Sequence, residues 1–324
     1  MLLDIVLPLT AGLAMFLFGM KVMELALYRW AGPRLKMWIE RTTRSPLRGL
    51  AVGTLVTALL QSSSAITVIT IGLVNARLMD FSRTLGIILG TNIGTCLTTE
   101  LIGLNIGHDG LPMLLTCFPI WLICSTLPDS WLTSSRMKGF VSSLKYMALA
   151  MCGLAAVLLA IVVMQSTIPA LQSYGMFEWF VKQAQVSPLW GVVAGAIVTA
   201  IIHSSSATIA MTMGLASVHV IDVELGIAIV LGANIGTCVT ALIAAIGGSR
   251  SGQFVAWSHI LLNVGGAVLF FPLIGALAHA SGLLSVSESS QLAHAQTIFN
   301  IVCSLIALPI CYLPVFRKLD ASRT

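Results

Sequence analysis

Two serine triplets carry the most chemistry in this chain. Ser62-Ser63-Ser64 follows Gln61, and Ser204-Ser205-Ser206 follows His203, each between two apolar stretches. Polar groups and irregular backbone persist at membrane depth only when buried in protein or lining a wet cavity. A serine run at the start of a half-helix offers hydroxyl donors beside free backbone N–H groups, and the helix N-terminus adds partial positive charge. Such a tip binds an anion without Lys or Arg, and two of them meeting at the midplane would enclose a tetrahedral oxyanion. A lone serine would more simply pack between helices and bond back to a carbonyl. Two equivalent triplets favour a site.

A second pair of motifs follows. Gly90-Thr91-Asn92-Ile93-Gly94-Thr95 and Gly232-Ala233-Asn234-Ile235-Gly236-Thr237 interrupt apolar runs, with Thr98, Thr99 and Thr240 continuing them. Glycines flanking an asparagine favour local unwinding. Unwinding would free backbone carbonyls, and Asn and Thr add side-chain oxygens. Oxygen ligands without several carboxylates suit a monovalent cation such as Na⁺ better than Ca²⁺. The competing reading is a glycine-mediated close helix crossing.

The elements that position these motifs follow from composition. The 324 residues are 57% hydrophobic and 9% charged, against about 25% charged in soluble domains. That excludes a soluble enzyme, a disordered chain and a nucleic-acid binder, and leaves an all-α polytopic membrane protein. At about 20 residues per crossing, full spans are expected near 5–28, 84–106, 111–127, 141–164, 225–247, 253–277 and 291–313, with 111–127 the shortest. The stretches 47–76 and 188–218, interrupted by the serine triplets, are each long enough to enter and return as a re-entrant hairpin. The start has no basic region before its apolar stretch, so 5–27 reads as a retained span and no cleaved signal peptide is expected. The seven cysteines lie in or beside apolar runs and read as small core residues, not disulfides. No cluster has transition-metal spacing.

Charge placement sets the orientation. Arg29, Arg34, Lys36, Arg41, Arg44 and Arg48 precede the first hairpin, which makes that joint cytoplasmic and the N-terminus external. With both hairpins re-entrant, fifteen of the seventeen basic residues fall inside, Lys182 falls outside and Lys21 lies in the first span. Trp30 and Trp38, with Arg34 and Arg41 between them, suggest a cytoplasmic interfacial helix.

Sliding the chain by 142 residues superposes 53–98 on 195–240 without a gap, and 21 of the 46 positions are identical. The identities include Ser, Asn, Thr and Gly, which apolar composition does not explain. The first copy begins inside and the second outside, so the copies are inverted, the architecture of secondary transporters with substrate between the repeats. The expected organisation is a first helix and interfacial helix (1–46), then repeat one (47–127; hairpin 47–76, broken helix 84–106). A connecting segment with a scaffold helix (128–187) leads to repeat two (188–277; hairpin 188–218, broken helix 225–247). A last span and cytoplasmic tail (278–324) complete it.

Paired Q-S-S-S and G-A-N-I-G-T motifs in inverted repeats resemble the type II sodium–phosphate cotransporter family, including its bacterial members. The resemblance is most specific over 47–106 and 188–247. It implies Na⁺-driven symport of inorganic phosphate by an elevator-like carrier, not an enzyme, with no organic cofactor. It places phosphate contacts at Gln61, Ser62, Ser63 and Ser64 and at Ser204, Ser205 and Ser206. Sodium ligation falls around Asn92, Thr95, Asn234 and Thr237 with the tip residues Ser64 and Ser206. His203 replaces the family's Gln; a neutral imidazole would serve as a hydrogen-bonding group, and a protonated one would bring positive charge to phosphate. Many bacterial relatives carry a C-terminal regulatory domain, which is not expected here. The partners are phosphate, sodium and the lipid bilayer of a bacterial inner membrane, with no nucleic acid; a homodimer is one assembly open to it.

Other polar residues fall within spans. Glu100 should be paired, protonated or near water. Lys21 and Glu24 have ion-pair spacing, and Lys21 is also placed to snorkel. His259 with Asn263, and Gln296 with Asn300, lie one turn apart and would border the site or bond between helices. His203 beside Ser204 raises a serine hydrolase, but adjacent residues on one helix do not face each other, and the first copy has no histidine there. The remaining alternatives are the same fold carrying another oxyanion or a dicarboxylate, or exporting phosphate, and, more distantly, a channel.

Overall fold

The computed structural model describes residues 2–31, 43, 45–76, 78–79, 81–104, 109–128, 131, 134–173 and 175–313. The interfacial helix expected about Trp38, the end of the span drawn to 106 and the basic tail at Arg317, Lys318 and Arg323 lie outside the described residues. Every regular element among those described is helical. Among the described residues, six helical stretches are long and apolar enough to cross a bilayer: Asp4–Ala31, Arg83–Gly103, Ser135–Gln172, Val223–Ala245, Arg250–Gly282 and Glu288–Tyr312. The chain is thus a polytopic helical membrane protein, and it divides into two compact units.

The first unit contains α1 (Leu7–Ala31), α5 (Gly110–Thr126) and α6 (Ser135–Gln165). Small residues let α1 and α6 touch along their backbones. A Cβ on Gly19 would lie 2.7 Å from the Gly153 carbonyl oxygen, and one on Gly153 would lie 2.6 Å from that of Gly19. Met23 and Ala26 pack there on Ala150, Leu154 and Leu158, with Met113 of α5 against them. α5 has 17 residues, about 26 Å of helix, slightly less than the bilayer core. On α1, Lys21 Nζ is 3.1 Å from Glu24 Oε1, so the pair expected from spacing forms.

The second unit holds both serine triplets. Its elements are α2 (Pro46–Leu60), α3 (Ser63–Asn75), α4 (Phe81–Gly103), α7 (Gly175–Val186), α8 (Leu189–Ile202), α9 (Ser205–Ser217), α10 (Val223–Gly236), α11 (Cys238–Ala245), α12 (Arg250–Phe270), α13 (Ile274–Gly282) and α14 (Glu288–Ala307). Starts are marked by local chemistry. The Ser45 hydroxyl accepts from Arg48 N–H at 3.4 Å with Pro46 in the first turn, and the Asp222 carboxylate accepts from Leu225 N–H at 2.7 Å, both N-cap arrangements. Pro272, lacking a donor, falls in the 3₁₀ turn Phe271–Leu273 that separates α12 from α13. On α7, the exposed Lys182 lies 2.7 Å from the exposed Glu178 and holds its carboxyl below the usual range.

The two copies fold alike. α2 lies along α4 as α8 lies along α10, and the same glycines make both crossings. A Cβ on Gly90 would lie 2.3 Å from the Leu50 carbonyl oxygen, and one on the matching Gly232 would lie 2.0 Å from that of Val192. Gly94 and Gly236 meet the carbonyls of Thr54 and Ala196 at 2.6 Å.

This corrects one expectation. The first motif does not break its helix: α4 runs continuously through Gly90–Thr95. Its glycines admit the neighbouring backbone instead of releasing their own, and an unbonded peptide group at this depth costs several kcal/mol. In the second copy the interruption is one residue, Thr237, between α10 and α11, with φ −62° and ψ −21°. The reading of 84–106 as a broken helix is therefore replaced by a glycine-lined crossing, while 225–247 keeps a single-residue break.

Candidate functional site

Each serine triplet begins a helix immediately after a reversal of backbone hand. Gln61 has φ 56° and ψ 27° and Ser62 φ −146° and ψ 96°, while His203 has φ 59° and ψ 24° and Ser204 φ −145° and ψ 105°. The left-handed residue closes the incoming helix, its N–H reaching the carbonyl of Thr57 at 2.7 Å and of Thr199 at 2.8 Å. Non-glycine residues rarely adopt this conformation, and holding one there costs about 1–3 kcal/mol. That two copies do so at the same place marks a constrained turn, and nothing in the residue types Gln and His announces it.

The first serine of each triplet is the N-cap. Ser62 Oγ accepts from Ala65 N–H at 3.3 Å and Ser204 Oγ from Ala207 N–H at 3.2 Å. That satisfies the third turn position and leaves the N–H groups of Ser63 and Ser64, and of Ser205 and Ser206, without intrahelical acceptors. Each tip thus presents backbone donors, hydroxyls and a helix N-terminus, with no Lys or Arg in 61–66 or 203–208. This is chemistry for an anion whose net charge must be balanced by something else.

The tips differ in their anchoring. The Gln61 side chain is buried and used at both ends: its carbonyl accepts from Thr98 Oγ1 at 2.6 Å and its amide donates to the Ala58 carbonyl. Thr240, the residue matching Thr98, lies 3.4 Å by its hydroxyl from Ser64 Oγ, joining the first tip to the second copy. His203 is exposed. Below the second tip, Thr199 Oγ1 donates to Thr208 Oγ1 at 2.8 Å. The arms cross between copies: α3 packs on α11 and α12, and α9 on α4 and α14.

The proposed cation ligands lie on the glycine-lined helices. Thr95 Oγ1 donates to the Thr91 carbonyl at 2.8 Å and Thr237 Oγ1 to that of Asn234 at 2.6 Å. Asn92 Nδ2 donates to Asn263 Oδ1 at 3.0 Å, whereas Asn234 Nδ2 turns back to the Val230 carbonyl at 2.8 Å. Asn263 and Asn300 occupy matching settings. Each donates to the carbonyl one turn earlier, of His259 at 2.9 Å and of Gln296 at 3.1 Å. Those carbonyls also accept from Cys238 Sγ at 3.9 Å and Cys96 Sγ at 3.8 Å. The sequence spacing of these pairs was visible; their partnership with the motif cysteines was not, because it joins residues far apart in the chain.

Comparison with known proteins agrees with this duplication. The profile described as Na+/Pi-cotransporter matches twice, over residues 15–166 and 156–305. The uncharacterized protein YqeW of Bacillus subtilis (strain 168) is 30% identical over 312 residues, 95% of either chain. The putative inorganic phosphate export protein YjbB of Escherichia coli (strain K12) is 24% identical over 304 residues, 94% of this chain and 53% of that one, so the chain spans about half its length. Sodium-dependent phosphate transport protein 2A of Ovis aries is 43% identical over 65 residues, 20% of this chain and 10% of that protein. No solved structure matches. With both copies covered by the same profile, the chain belongs to the Na+/Pi-cotransporter family.

Proposed function

We propose that this protein is a sodium-coupled carrier of inorganic phosphate in a bacterial inner membrane, with its N-terminus outside and its C-terminus in the cytoplasm. The observation that carries the reading is the pair of matching tips, Gln61–Ser64 and His203–Ser206, each a left-handed turn feeding an N-capped helix. Their N–H groups and hydroxyls hold phosphate. The tips lack cationic side chains, so co-bound Na⁺ supplies the balancing charge, at Asn92, Thr95, Asn234 and Thr237 with Ser64 and Ser206. The copies are inverted, and the hairpin tips with the motif helices form one mobile body, while α1, α6 and part of 253–313 serve as scaffold. The names of two relatives, a sodium-dependent phosphate transport protein and a putative phosphate export protein, support phosphate as cargo and leave both directions of net flux open to test.

The experiment uses purified protein in liposomes, with labelled phosphate on either side and sodium gradients of both signs. Phosphate should follow the sodium gradient in both orientations, and excess sulfate or succinate should compete poorly. Transport of those anions in preference to phosphate would favour the same architecture with another cargo. No protein-dependent phosphate movement would remove the proposal.

A further inference from the structure

Glu100 stands one turn before the end of α4, inside a membrane-spanning stretch, where an unpaired carboxylate is costly. Two side chains of α14 meet it. His294 Nδ1 lies 3.0 Å from Oε2 and 3.2 Å from Oε1, and Thr297 Oγ1 donates to Oε1 at 2.5 Å. Residues 294 and 297 are one turn apart on one helix face.

Two features separate this cluster from an ordinary structural pair. The side chains of Glu100 and His294 are 30% and 27% exposed and so open to the protein's surroundings, while Asn263 and Gln296 deeper in the same unit are 1% and 0% exposed. The carboxylate is not duplicated: the residue matching Glu100 in the second copy is Leu242, although the anion-binding tips are duplicated.

From this geometry we infer that Glu100, His294 and Thr297 form a proton-binding site, and that the proton held between imidazole and carboxylate travels with phosphate. Imidazole is the side chain whose charge normally changes between about pH 5 and 8. With the proton bound, the pair is neutral overall; without it, Glu100 is held only by a neutral ring and a hydroxyl. The proton comes from water on one face and returns to water on the other, with only an N–H bond formed and broken.

Other ionisable groups bear on the pair. Cys96 lies one turn inward on α4, with Arg83 at that helix's far end. On α14, Glu288 is held by His219 at 3.1 Å, and Cys303 lies towards the other end. Arg48 is on α2, Glu224 on α10, His279 on α13, and Arg250 and His259 on α12; Cys311 and Tyr312 follow α14, and α3 and α9 carry none. The His219–Glu288 pair is therefore the control, through His219→Asn.

The inference rests on the phosphate-carrier reading, and two measurements keep the two apart. In liposomes without a sodium gradient, an imposed proton gradient should drive phosphate uptake by the native protein and by His219→Asn. It should drive about tenfold less in Glu100→Gln and His294→Asn, while sodium-driven uptake by these variants stays within about threefold of native. In detergent, with no substrate, the His294 ring resonance, assigned by its loss in His294→Asn, should shift its pH midpoint in Glu100→Gln. An unchanged midpoint overturns the inference, as does an unchanged proton-driven flux in the variants. Absence of phosphate flux under every gradient removes the carrier reading instead, and the ring titration still decides whether the proton site exists.

Discussion

Ser62 and Ser204 cap their helices through Oγ, which leaves the second and third serines of each triplet to offer hydroxyls and backbone N–H groups. Replacing Ser63 or Ser205 with Ala should weaken phosphate binding by about tenfold or more, the loss of one hydrogen bond to a charged group, as read by equilibrium binding at fixed Na⁺. Asn92→Ala and Asn234→Ala should instead raise the sodium concentration needed for half-maximal transport. Equal shifts of both affinities in all four variants would contradict this division of labour. Thr98→Val removes the donor to Gln61 and should lower phosphate affinity severalfold while leaving the α2–α4 crossing intact. The serine, asparagine and threonine positions were legible from type and repetition. The left-handed turns at Gln61 and His203 were not, since neither residue favours that conformation by itself. Nor were the Thr98–Gln61 and Glu100–Thr297 bonds, which depend on which helix faces meet.

At the scale of elements, the continuity of α4 decides between two readings of the glycines. Local propensity favours unwinding where glycine flanks asparagine, but packing prevailed: the peptide bonds of α4 stay within the helix and the space without Cβ atoms is filled by α2. Substitution therefore acts on packing. Gly90→Leu and Gly232→Leu place side chains where the Leu50 and Val192 carbonyl oxygens now lie. Each should lower the melting temperature in detergent by several degrees, in keeping with about 1–3 kcal/mol or more for overpacking. Gly265→Leu, at a position with open space for a side chain, should leave it nearly unchanged. If the Gly90 and Gly265 variants melt alike, the crossing is not held by backbone contact. The apolar stretches broken by serine were readable as paired helices because polar tripeptides interrupt them. The single-residue break at Thr237 was not distinguishable in advance from the unbroken first copy, since both carry Asn-Ile-Gly-Thr.

For the whole molecule, scarcity of charge identified the membrane class, and the 142-residue repeat identified the duplicated core. The grouping of α5 with α1 and α6 could not be seen, because chain order attaches α5 to the first repeat and periodicity says nothing about non-adjacent partners. The basic residues predict that, in a variant without its native cysteines, cysteine at His219 reacts with an impermeant reagent from outside the cell and cysteine at Arg250 only after the membrane is opened. The opposite pattern, with cysteine at Arg250 labelled from outside and cysteine at His219 only after the membrane is opened, would make one of the hairpins a full crossing. The central claim is physical: two helix N-termini and their hydroxyls bind phosphate without Lys or Arg, so a cation must complete the site. Phosphate affinity of the purified protein, measured in Na⁺ and in N-methylglucamine at equal ionic strength, tests it most directly. Sodium should tighten binding by about tenfold or more, the usual range for linked sites; the same affinity in both solutions would contradict the account.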